Sequence, residues 1–140
     1  MQPEKPFTIL LVDDEPPIFD ILSRVAKNSF PETAILNTHS PQETFDYLNN
    51  LADSTLNLIL LDIELHQAQN GIDMLPQIRE LLNGRVPIIM LTSQIDDLNV
   101  TRAYAKGAVS YILKPDDLSK WRDFVSTLRK YWYELNQLPS

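Results

Sequence analysis

The chain has 140 residues, 12 Lys and Arg against 19 Asp and Glu, a formal charge of −7, no cysteine and two histidines. That length suits one hydrophobic core. The missing cysteines exclude disulfides, thiolate metal sites and a cysteine nucleophile, and two histidines leave little for a His-rich metal site. The net negative field disfavours binding that depends on neutralising nucleic-acid phosphates. Apolar runs reach four residues, as at Leu58-Ile59-Leu60-Leu61, far short of the roughly 18 that a membrane helix needs or the 7–15 of a signal peptide. The cytoplasm is the expected compartment, with no membrane contact and no direct nucleic-acid contact.

Taken in order, short apolar runs alternate with stretches of helical spacing. Ile9-Leu10-Leu11-Val12 predicts a first strand, and Ile18, Ile21, Leu22 and Val25 a helix after it. Ala34-Ile35-Leu36 predicts the second strand. Ser40-Pro41-Gln42-Glu43 is a capping-box pattern with proline at the first helical position, leading into Phe45, Leu48 and Leu51. Leu58 to Leu61 predicts the third strand. A third helix is expected from Asp73 to Asn83, stopped by Gly84, with Pro76 tolerable only in its first turn. Ile88-Ile89-Met90-Leu91 and Val109 to Leu113 predict the last two strands. The fourth helix runs from Asp97 to Lys106 and ends at Gly107. The fifth follows Asp116-Asp117 and carries Trp121, Val125, Leu128, Trp132 and Leu135 at near-heptad spacing. Tyr131, Trp132 and Tyr133 are consecutive, so at least one must be exposed or meet a partner. Near-unbroken apolar strands read as buried on both faces, and right-handed crossovers then give an α/β, doubly wound parallel sheet. One domain over residues 1–140 is expected, with a core of about 7–135 and short tails.

Ligands of doubly wound sheets bind beyond the carboxyl ends of the strands. There the sequence puts Asp13-Asp14-Glu15, Asp62, Thr92-Ser93 and Lys114-Pro115. Each has a plain alternative taken singly: the acidic pair as a helix N-terminal signal, Asp62 as a turn residue, Thr92-Ser93 as a helix start, Tyr111 as packing, His39 and His66 as surface residues. Together, clustered carboxylates suit a divalent cation such as Mg²⁺ that keeps most of its waters. A carboxylate beside that ion can attack phosphorus, with Lys114 and Thr92 holding the phosphoryl oxygens.

Ile9-Leu-Leu-Val-Asp-Asp-Glu-Pro16, Leu58-Ile-Leu-Leu-Asp-Ile63, Ile88-Ile-Met-Leu-Thr-Ser93 and Gly107-Ala-Val-Ser-Tyr-Ile-Leu-Lys-Pro115 resemble the receiver domain of two-component response regulators over residues 7–135. The resemblance implies a flavodoxin-like (βα)5 fold with strand order 2-1-3-4-5. It implies Asp62 as phosphoacceptor from a histidine kinase or phosphotransfer protein. The Mg²⁺ ligands would be Asp14, Asp13 mostly through water, Asp62, and the backbone carbonyl of Glu64. Thr92 and Tyr111 would be the switch pair, Lys114 the phosphate-contacting lysine, and Glu64 and Gln94 the residues tuning phosphoryl lifetime. A cis Lys114-Pro115 bond is also implied, and a downstream protein reading the face of the fourth helix, fifth strand and fifth helix. Two departures stand out. The loop His66 to Asn70 is one residue longer than usual and lacks its proline, placing Gly71 nine residues after Asp62, and Glu64 is acidic.

The Tyr131-Trp132 and Leu138-Pro139 pattern resembles the tails of bacterial phytochrome-associated single-domain regulators, which tend to dimerise. Homodimerisation through the switching face or the C-terminal aromatics is the matching expectation. The reading is a stand-alone receiver with no output domain in this chain, not a conventional enzyme. The alternatives are a degenerate receiver acting as a constitutive interaction module, and a magnesium-dependent aspartyl-phosphate phosphatase in which Glu64 is the second acid.

Overall fold

The computed structural model describes residues 6–51, 55–65 and 70–135. Five strands, β1 (Phe7–Val12), β2 (Thr33–Thr38), β3 (Leu58–Asp62), β4 (Ile88–Thr92) and β5 (Ser110–Leu113), alternate with α1 (Pro16–Ser29), α2 (Pro41–Asn49), α3 (Gly71–Leu81), α4 (Asp97–Ala105) and α5 (Leu118–Leu128). The strands form one parallel sheet in the order β2-β1-β3-β4-β5, the doubly wound flavodoxin-like arrangement. Apolar side chains leave both faces. Val12, Leu61, Met90 and their neighbours pack beneath α2, α3 and α4, and Leu11, Leu60 and Leu91 beneath α1 and α5.

Burial on both faces holds for β3 and β4 throughout and nearly so for β1, which leaves Thr8 half-buried. It fails for β2 and β5, where Leu36 and Leu113 are exposed, because those strands form the sheet edges and are only partly covered. The strand expected from Val109 begins one residue later, at Ser110, and Val109 is also exposed.

Helix termini explain the remaining shifts. At α2, Ser40 Oγ accepts the Glu43 N–H at 3.1 Å, while the Glu43 carboxylate meets exposed His39 at 3.1 Å. α3 starts two residues before Asp73, because Asn70 Oδ1 accepts the Asp73 N–H and Asp73 Oδ2 accepts the Asn70 N–H, a reciprocal capping box. Pro76 therefore lies in the second turn rather than the first, inside α3, with its ring on an exposed face. The α3 stop uses both Asn83 and Gly84, each with positive φ. Gly71 is at a close approach: a Cβ there would lie 2.2 Å from the Asp62 carbonyl oxygen. Only glycine lets α3 begin against the end of β3, so the helix fixes the peptide that carries Asp62. His66, and the loop of residues 66–69, lie outside the described residues, as do the tails at 1–5 and 136–140.

The expected heptad of the last helix breaks at its end. Trp121, Val125 and Leu128 are buried as core, but Arg129–Leu135 winds as a π-helix. Within that wider turn, Trp132 still packs partly buried against the core and Tyr133 packs beside it. Tyr133 packs its ring tilted against Phe30 and edge-on against Phe7, at centroid distances of 5.5 and 6.0 Å, and Leu135 is 67% exposed. Arg129 ties this segment to α1–β2 through Glu32 at 2.7 Å. Tyr131 is the exposed member of the aromatic triplet. Among the described residues, no helix is long and apolar enough to cross a membrane.

Candidate functional site

Every strand that contributes here ends at the same edge, so the residue following or closing each strand is delivered to one place. Asp13 follows β1 and is held by its N–H to the Thr38 carbonyl at 3.0 Å, and it is fully buried. Its Oδ1 accepts the Glu15 N–H at 2.8 Å. Asp62 closes β3, also fully buried, with Oδ1 accepting the Glu64 N–H at 3.1 Å. Thr92 closes β4. Lys114 follows β5, and its N–H reaches the Thr92 carbonyl at 2.7 Å. The Lys114–Pro115 bond is trans, not cis as the resemblance implied; trans is the lower-energy isomer even before proline.

The Lys114 ammonium sits among carboxylates, 3.2 Å from Asp62 Oδ2, 3.3 Å from Asp13 Oδ2 and 3.3 Å from Glu15 Oε1. Asp13, Asp14, Glu15 and Asp62 each bring a carboxylate oxygen to within 4.8 Å of the others. Among the described residues, one ammonium meets three of these four acids. Burial pushes Asp62 up to about 8, helped by the adjoining Glu64 carboxylate and the Asp13 charge and opposed by Lys114. Asp13 is raised for the same first reason, burial. Lys114 is raised: burial alone would lower it, but the charges of Asp62, Asp13 and Glu15 prevail.

These donors fit a hard divalent cation. The cluster is all oxygen, and among the described residues Asp13 Oδ2 and Asp62 Oδ2 are buried without a hydrogen bond, with the Lys114 ammonium at salt-bridge distance. An ion held by carboxylates and water would relieve the excess charge, as Mg²⁺ or Mn²⁺ does.

On the opposite side of Asp62, Glu64 turns its side chain toward β4. Its Oε1 accepts the Thr92 hydroxyl at 2.6 Å and lies 3.4 and 3.3 Å from the Ser93 N–H and hydroxyl. Burial alone would raise Glu64, yet hydrogen bonds from Thr92 and Asp62 and the Lys114 charge bring it below the ordinary value. Thr92 Oγ1 also lies 2.8 Å from the Gln94 carbonyl and accepts the Gln94 N–H at 3.2 Å. Gln94 itself is exposed and offers Thr92 main chain. Tyr111 packs half-buried against the α2–α3–α4 core; among the described residues its buried hydroxyl has no hydrogen-bond partner, and burial raises its pKa.

The edge thus gathers Asp13, Asp14, Asp62, Glu64, Thr92 and Lys114, with Tyr111 packed inward behind them. Glu15 and Ser93 join them, although no role was expected of either. Both belong to the strand-end runs Asp13-Asp14-Glu15 and Thr92-Ser93 that the sequence sends to this edge.

A profile of the response regulator receiver domain matches residues 9–126. The DNA-binding response regulator MtrA of Mycolicibacterium smegmatis is 33% identical over 107 residues, which cover 76% of this chain and 43% of MtrA. The probable methanogenesis regulatory protein FilR2 of Methanothrix harundinacea is 27% identical over 143 residues, covering 99% of this chain and 92% of FilR2. The chain therefore spans less than half of MtrA and most of FilR2. Among solved structures, the phosphorylated cyanobacterial phytochrome response regulator RcpA superposes with a TM-score of 0.85 at 24% identity, covering 97% of this chain and all of RcpA. The Mn²⁺-bound response regulator Rcp1 gives 0.81 at 25% identity, covering 96% of this chain and all of Rcp1.

Proposed function

The chain belongs to the response regulator receiver family, and on that footing we propose that Asp62 is its phosphoacceptor and that the chain acts as one receiver unit with a core of about 7–135. Asp13, Asp14, Asp62 and the Glu64 backbone carbonyl would hold Mg²⁺. When bound, the ion would neutralise charge on the incoming phosphoryl oxygens and on the acid cluster. The observation that carries the reading is the buried Asp62 carboxylate at the strand edge, 3.2 Å from Lys114.

In the transfer, an Asp62 oxygen attacks phosphorus in line as the P–N bond of a kinase phosphohistidine breaks. The imidazole nitrogen leaves with the electron pair and Asp62 becomes an acyl phosphate. Lys114 stabilises a phosphoryl oxygen with an ammonium already in place. Thr92, paired with Tyr111, supplies a hydroxyl to another. The added charge, about −1.5 to −2, then biases the α4–β5–α5 face between two arrangements, which a downstream protein must bind unequally to read.

That face exposes Leu98, Tyr104, Val109, Leu113 and Leu118, apolar surface suited to a protein partner or a second copy of the chain. With Tyr131 and Leu135 beside it, homodimerisation through this face or the C-terminal aromatics is part of the proposal. A histidine kinase or phosphotransfer donor, a cytoplasmic location and the absence of direct nucleic-acid or membrane contact complete it.

Incubation with a small acyl phosphate and Mg²⁺, followed by intact mass, tests the reading. One added phosphoryl group is expected, sharply reduced by chelation. No labelling from any donor, including a phosphorylated kinase, would leave a constitutive interaction module in its place.

A further inference from the structure

Glu64 Oε1 draws on three donors of the β4 edge, the Thr92 hydroxyl at 2.6 Å and the Ser93 N–H and hydroxyl at 3.4 and 3.3 Å. A hydroxyl, a backbone N–H and a second hydroxyl converging on one anionic oxygen is the arrangement that a phosphoryl oxygen on Asp62 would need. A threonine hydroxyl has a single proton. While it is directed to Glu64, at the shorter of its two acceptor distances, it is not available to phosphate. Asp62 closes β3 two residues before Glu64, and its Oδ1 accepts the Glu64 N–H.

We propose that the Glu64 carboxylate is an internal occupant of the phosphoryl seat, so that phosphorylation proceeds by exchange of one anion for another at Thr92 and Ser93. The inference rests on Asp62 being the phosphoacceptor and goes further by naming what must be displaced. Its consequence is a threshold: the donor's phosphoryl group competes with a tethered carboxylate, which is present at high local concentration because it sits on the same backbone. Glu64 is a positioning residue here, acting through Thr92 and Ser93. A second consequence concerns the resting state. Thr92 and Ser93 are engaged by an anion before any phosphate arrives, with Tyr111 already packed inward, so the resting chain holds part of the engaged arrangement.

The test uses beryllofluoride, an inert phosphoryl analogue, titrated with Mg²⁺ into the full chain and its Glu64→Ala and Glu64→Gln variants. Removing the competitor is expected to tighten beryllofluoride binding by about tenfold in Glu64→Ala. Glu64→Gln, which keeps the shape but not the charge, should fall between. Acyl-phosphate labelling should accelerate in the same order, and amide resonances of Ser93 and Gln94 should shift in the unliganded variants. Equal affinities across the three proteins overturn the inference and leave the phosphoacceptor reading standing. So does a variant that changes only the rate of phosphoryl loss. Failure of beryllofluoride to bind even Glu64→Ala overturns both.

Discussion

Replacing Asp62 with asparagine is expected to abolish phosphoryl uptake while making the magnesium-free protein more stable at pH 8. Loss of labelling follows because an amide has no anionic oxygen with which to form the acyl phosphate. The gain in stability follows from the folded carboxyl being pushed up to about 8. In the unfolded chain it ionises near its ordinary value of 3.8. Between those values the folded state holds a proton that the unfolded state has released. Stability therefore falls as pH rises from about 4 to about 8, and the penalty is complete above that window. The amide of Asp62→Asn carries no such penalty, and its carbonyl can still accept the Glu64 N–H that Asp62 Oδ1 accepts now. The melting temperature of Asp62→Asn should exceed that of the parent by roughly 5 °C at pH 8 and converge with it toward pH 4. Magnesium should raise the parent more at pH 8 than at pH 6, since binding the ion expels the proton. Parallel melting curves for the two proteins across that range would show that the carboxyl ionises normally in the folded chain.

The same edge shows how far sequence reaches. Asp13, Asp62, Thr92 and Lys114 were legible because each directly follows or closes a run of apolar residues, and a parallel sheet sends all such ends one way. The strand order that makes β2 and β5 edges was legible only through the family resemblance, so Leu36 and Leu113 read as buried when they are not. The start of α3 was signalled by Asn70 and Asp73 at capping-box spacing, a signal that the expected start at Asp73 left unused. Leu135 continues the near-heptad spacing of the last helix in the sequence. The π-turn that displaces it answers to Phe7 and Phe30, more than a hundred residues away. The Glu64 tether was out of reach for a related reason. It depends on β3 and β4 pairing Asp62 opposite Leu91, a register that places the Glu64 side chain against residues 92 and 93.

Removing the cation without removing the acids should have the opposite sign from Asp62→Asn. In Lys114→Met the apolar stem is retained, so packing changes little, but the buried Asp13 and Asp62 carboxylates lose the ammonium at 3.3 and 3.2 Å. Breaking a buried ion pair from one side costs about 3 kcal/mol or more, which for a domain of this size is a fall of roughly 10 °C. The loss should be greatest in magnesium-free buffer at pH 8 and shrink toward pH 5, where Asp62 already carries its proton and Asp13, also raised by burial, is closer to doing so. Magnesium should recover part of it at pH 8 by supplying positive charge to the same oxygens. A loss that is identical at pH 5 and pH 8 would mean that Lys114 contributes through its methylene stem and not through its charge. Combining Lys114→Met with Asp62→Asn separates the two accounts. If the ammonium compensates Asp62, the double variant should be more stable than Lys114→Met alone, by more than Asp62→Asn gains in the parent. Simple additivity would place the partner of Lys114 elsewhere.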